Sequence, residues 1–205
     1  MSELRVSKDC MRMDQYFAKV DGSHNFNNDS FSVTKEVVRY GIESGGTFYG
    51  IKYFEVEWLD DASPLNLFPE FMRDDLCIRY MMINHAAYPH TDSGILVAVN
   101  FYMNTTNEAT NFHEIATDSP KVFKLKTQTN GSVFNLNDLK KVCSFVASSG
   151  DVYILDVTKI HSVMNEDIVP LASMREAIVV NSSIYDYETI KNALLTKLND
   201  DRNRH

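Results

Sequence analysis

The chain is poor in the residues that build small extracellular scaffolds and fibres. It has only three cysteines, five prolines and eight glycines in 205 residues. Cys10, Cys77 and Cys143 are far apart and form no CxxC pair, which argues against a disulfide framework and a zinc ribbon. The scarcity of Gly and Pro, beside 44% hydrophobic residues, excludes a collagenous or disordered chain. Long apolar runs are missing too. Ile95–Val99 is the most prominent, far too short to cross a bilayer as a helix. The first twenty residues lack the apolar block of a signal peptide, so the expectation is a soluble, cytoplasmic protein. Basic residues are outnumbered by acidic ones, 20 to 28, for a net charge of −8. A surface of that sign repels phosphate backbones, so nucleic acid is an unlikely partner.

What is present suits one globular domain, 1–205. Residues 1–76 read as supporting elements, 77–183 as a β-rich core and 184–205 as a C-terminal helix. Lys8–Val20 reads as a short helix. The segment 21–30 (DGSHNFNNDS) reads as a loop, and Thr47–Leu59 as an aromatic-rich strand or hairpin. Pro64 opens an expected helix, Leu65–Leu76, in which Leu65, Phe68, Met72 and Leu76 recur at helical spacing. Six short strands follow: Cys77–Ile83, Ile95–Met103, Lys121–Thr127, Cys143–Val146, Val152–Val157 and Arg175–Ser182. Strands in succession, with few helices between them, predict a mainly β fold with flanking helices: an antiparallel sandwich or jelly roll. The tail 186–200 reads as an amphipathic helix with Ile190, Leu194, Leu195 and Leu198 on one face. It is expected to pack outside the sheet, with a dimer contact as the alternative.

Three positions stand out chemically. In His90-Thr91-Asp92, residues i and i+2 of an extended segment point to the same side. An imidazole and a carboxylate then face one point. His161 follows an apolar strand in GDVYILDVTKIHSV and is the candidate third ligand. Two imidazoles and one carboxylate on one face leave cis positions open and favour Fe(II). Arg175 opens the apolar strand REAIVVNSS, where a guanidinium is costly unless it meets an anion. That anion is either a bound dicarboxylic acid or an internal partner such as Asp151, Asp156 or Glu166.

The order HTD, then His, then Arg, set among short strands, resembles the Fe(II)- and 2-oxoglutarate-dependent dioxygenases. It is most similar to the small prolyl-hydroxylase-like proteins of bacteria and phages. The matching stretches are CIRYMMINHAAYPHTDSG, ILVAVNFYMNTTNEATNF, GDVYILDVTKIHSV and REAIVVNSS. The resemblance implies a double-stranded β-helix, with His90, Asp92 and His161 as iron ligands. It also implies that Arg175 binds the distal carboxylate of 2-oxoglutarate, with Tyr102 and Tyr80 lining that pocket. The implied activity is hydroxylation of a protein side chain such as proline, or of a small metabolite, with release of succinate and carbon dioxide. A non-catalytic jelly-roll module with a degenerate site is the alternative. The family's Gly-Gly-x-Thr turn is replaced here by Asn107-Glu108-Ala109-Thr110. The stretch Thr117–Phe145 is long enough to hold an added hairpin, and His24, His85 and His113 are expected to be structural.

Overall fold

A computed structural model of the chain describes residues 13–21, 24, 26–44, 47–59, 63–84, 86–105, 107–124, 131–164 and 174–202. The protein is mostly β, arranged as two antiparallel sheets. In chain order the strands are β1 (Phe17–Val20), β2 (Phe31–Ser44), β3 (Thr47–Trp58), β4 (Leu76–Asn84), β5 (Ala87–Thr91), β6 (Val97–Asn104) and β7 (Ala109–Ile115). They continue with β8 (Val122–Lys124), β9 (Ser132–Phe134), β10 (Leu139–Val146), β11 (Val152–Leu155), β12 (Ile160–Val163) and β13 (Arg175–Ser182). One sheet runs β1-β11-β6-β13-β4-β3-β2, and the other β10-β7-β12-β5-β9-β8.

From β4 onward the chain crosses back and forth between the sheets. β4, β6, β11 and β13 lie together in the first, and β5, β7, β10 and β12 in the second. This alternation is the jelly-roll winding expected from the strand pattern. The long β2–β3 hairpin widens the first sheet through β3–β4 pairing, and the β8–β9 hairpin widens the second.

Period-two alternation gives the seven-stranded sheet two buried faces. Along β13, Arg175, Ala177 and Val179 face the opposite sheet, while Ile178 and Val180 face outward. The outward face is covered by α2 (Tyr187–Arg202), by a 3-10 turn (Pro64–Leu67) and by the single helical turn α1 (Glu70–Arg73). Asp186 caps α2, accepting a 2.9 Å hydrogen bond from the Thr189 backbone N–H. Tyr187, Ile190 and Leu194 fill the helix's buried stripe. Each aliphatic side chain so buried contributes about 1.5–3 kcal/mol. Leu195, expected on that stripe, is 38% exposed because it stands one residue beyond Leu194, about 100° around the helix. The Leu198 side chain lies outside the described residues.

Two expected helices are corrected. Phe17–Val20 is a strand, held by pairing along β11 from Phe17↔Leu155 to Val20↔Val152; residues 8–12 lie outside the described residues. The expected Leu65–Leu76 helix breaks at Pro69. Proline lacks the N–H the helix needs, and it pushes the preceding Phe68 to φ −99°, ψ 152°. A 3-10 turn, Leu136–Asp138, leads directly into β10. No described helix is long and apolar enough to cross a membrane.

Candidate metal centre and its buried guanidinium

His90 lies on β5, which is an inner strand. Its register places His90 opposite His161 of β12 on one side and Val133 of β9 on the other. The added hairpin therefore braces the ligand strand. Both imidazoles are oriented by their own backbone. The Nδ1 of His90 donates to the carbonyl of Tyr88 at 2.6 Å, and that of His161 to the carbonyl of Lys159 at 2.9 Å. A carbonyl only accepts, so each Nδ1 carries a proton, and in the neutral form of either ring Nε2 is the nitrogen with the lone pair.

The rings pack with centroids 4.3 Å apart, and His90 Nε2 stands 3.6 Å from Asp92 Oδ1. One potential ligand atom from each of His90, Asp92 and His161 lies within 4.8 Å of the others. Ligands bound in cis at ~2.1 Å stand ~3 Å apart, so modest side-chain motion closes this set on one ion. Burial, reinforced by the neighbouring His90, pushes the His161 imidazole down to about 4, so it is neutral at physiological pH and able to coordinate. Two imidazole nitrogens and one carboxylate on one face match the donor types of a non-haem Fe(II) site, so the residues fit that metal.

Arg175 shares the cavity with these three residues, which has a volume of about 220 Å³. It is 2% exposed. Its Nη2 donates to Thr110 Oγ1 at 2.9 Å, and its Cζ sits 4.4 Å from the Tyr102 ring centre. Nε and Nη1 are buried and hydrogen-bond to no described residue. The internal partners suggested by the sequence are engaged elsewhere: Asp151 with Lys19 at 2.8 Å and Asp156 with Lys159 at 3.8 Å. Glu166 lies outside the described residues. A buried guanidinium with two idle donors is costly, and an anion in the cavity would offset that cost.

Tyr102 is fully buried beside Arg175. Its oxygen accepts from Asn100 Nδ2 at 3.1 Å, which leaves the phenol hydrogen available to a ligand. Thr110 pairs with Val163, two residues from His161 along β12, so the guanidinium's anchor is about 7 Å along the strand from that candidate ligand. That span suits a short dicarboxylate.

Tyr80 is corrected. It faces the other side of the sheet, against Phe31 and Phe54, and its hydroxyl meets Glu176. Strand parity decides this: Arg79, Met81 and Ile83 line the cavity, so Tyr80 between them cannot. His113 is buried outside the cavity, with Nε2 2.9 Å from Ser162 Oγ, and His24 packs on Phe26 and Phe101. His85 lies outside the described residues.

Sequence reasoning missed Thr110, Asn100 and Tyr53 as cavity residues. Burial, then the Asp92 charge, pushes the Tyr53 phenol well up, so it remains a hydrogen-bond donor in the cavity. Thr110 carried one sequence signal: it ends Asn107-Glu108-Ala109-Thr110, the segment compared above with a Gly-Gly-x-Thr turn. No protein-family model and no curated protein matches the chain, so its chemistry has to be read from this geometry.

Proposed function

We propose that the protein is an Fe(II)- and 2-oxoglutarate-dependent dioxygenase that hydroxylates an organic substrate and releases succinate and carbon dioxide. The observation that carries this reading is Arg175, a buried cation with two unpartnered donors in the same cavity as the His90–Asp92–His161 set. A metal site alone fits many chemistries. A metal site beside a buried anion receptor fits one that takes a dicarboxylate on the metal.

Each residue has a definable task. His90 and His161 offer Nε2 to the metal, their rings fixed in direction by the Tyr88 and Lys159 carbonyls. Asp92 supplies the negative charge, leaving one face of the metal open. Arg175 receives the distal carboxylate through Nε and Nη1, with Tyr102 as a further donor; Thr110 holds the guanidinium in place. Ile51, Met81, Leu155, Val157 and Val163 give the cavity apolar walls that exclude water. When bound there, Fe(II) and 2-oxoglutarate supply the oxidation: dioxygen is consumed as the oxo acid loses carbon dioxide, with one oxygen atom going to succinate and one to the substrate.

The test is release of labelled carbon dioxide from 1-labelled 2-oxoglutarate. Release is expected to require Fe(II) and to be abolished in His161→Ala and Arg175→Met. Folded protein that releases none under any loading would leave a jelly-roll binding module.

A further inference from the structure

The cavity holds a second guanidinium that the proposed chemistry does not use. Arg79 projects from β4 into the same space. In register, Arg79 pairs with Val179 while Arg175 pairs with Ile83. The two arginines are therefore four residues apart along one sheet face, about 14 Å. The candidate ligands lie between them on the facing sheet. Thr110 and Val163 mark the Arg175 end, His161 and His90 follow, and Asp92 comes next, close enough to Tyr53 for their charges to interact. Tyr53 is level with Met81, one rung before Arg79.

Arg79 is half-buried, and its only hydrogen bond among the described residues is from Nη1 to the carbonyl of Ile78, at 3.0 Å. It forms no ion pair with a described acid. Asn181, on the neighbouring strand opposite Cys77, adds an amide to the same wall. Val38, Ile95 and the Tyr53 ring supply apolar surface around them.

We infer that this end of the cavity receives the substrate to be oxidised, and that Arg79 with Asn181 recognises it as a small aliphatic carboxylic acid. The inference rests on the oxygenase reading above. Arg175 holds the cosubstrate on one side of the metal, and Arg79 holds the substrate's carboxylate on the other, which presents the aliphatic part to the metal. A single cation at this end of the cavity, in a protein of net charge −8, selects a monoanion at short range and disfavours polyanions.

The test uses the whole protein, loaded anaerobically with Fe(II) and 2-oxoglutarate so that the visible chelate band first reports an assembled site. Propionate, hexanoate, leucine and proline are then supplied with air, each beside its amide, and succinate is measured. At least one acid is expected to stimulate succinate formation, preferred over its amide by about tenfold or more, the scale of a charge-assisted hydrogen bond. Arg79→Gln, still showing the band, is expected to bring that preference near one, and Arg79→Lys to restore part of it. An assembled band with no acid preferred over its amide overturns the inference and leaves the oxygenase standing. So does a preference that persists in Arg79→Gln. A missing band in wild-type protein overturns the oxygenase reading, and this inference with it.

Discussion

The two faces of the seven-stranded sheet are built from alternate residues of the same strands, and they differ in kind. The outward face buries Phe101, Ile154, Ile178 and Val180 against Phe68, Met72, Ile190 and Leu194. The inward face buries apolar residues too, but Arg175, Asn100 and Tyr102 stand among them, across from His161. An apolar face gains from every group it covers. The inward face keeps polar groups dry and incompletely paired, which costs stability and creates binding capacity. The strands thus separate an apolar packing face from the candidate site by side-chain parity alone.

Breaking the outward face gives the largest expected effect. Phe101→Ala, at a position with no exposure, is expected to cost about 3–5 kcal/mol in denaturant unfolding. Acid comes next, acting on the inward face of the metal-free protein. Folded His161 stays neutral down to about pH 4, while the unfolded chain takes up a proton near the ordinary value of 6.5. Between those values the unfolded state binds more protons. Stability present above pH 6.5 is therefore lost as pH falls toward 4, by up to about 3 kcal/mol. His161→Gln is expected to flatten that decline in pH-dependent unfolding curves.

Arg175→Met sharpens the comparison further. Removing an unneutralised buried cation is expected to leave the ligand-free protein at least as stable as wild type, while 2-oxoglutarate binding weakens by at least about thirtyfold in calorimetry. The smallest effect separates the two tyrosines. Tyr80→Phe loses one hydrogen bond, about 1 kcal/mol, and leaves 2-oxoglutarate affinity unchanged, whereas Tyr102→Phe weakens it.

Those faces were unequally legible in the sequence. β4, β6, β11 and β13 are short apolar runs bounded by turns, and their positions could be read directly. β2 and β7 could not. Charged and polar residues interrupt β2, which also carries two register shifts against β3. In β7, Asn111 and His113 sit among turn-forming neighbours, and the pairing with β10 and β12 comes from distant chain. The local helical spacing of Leu65–Leu76 was genuine, but Pro69 overrode it. At the site, His90, Asp92 and His161 could be picked out because spacing and strand ends expose them in sequence. Tyr53 could not, since only tertiary pairing of β3 on β4 brings it to the cavity. Tyr80 failed for a simpler reason: it is one residue out of phase with the cavity-lining residues of β4.

Assembly of the proposed site is measured most directly by an anaerobic titration of metal-free protein with Fe(II) and then 2-oxoglutarate, followed by visible absorption. A weak charge-transfer band is expected at one equivalent of each, absent in His161→Ala and in Arg175→Met. Folded wild-type protein that develops no band at saturating Fe(II) and 2-oxoglutarate would contradict the oxygenase reading.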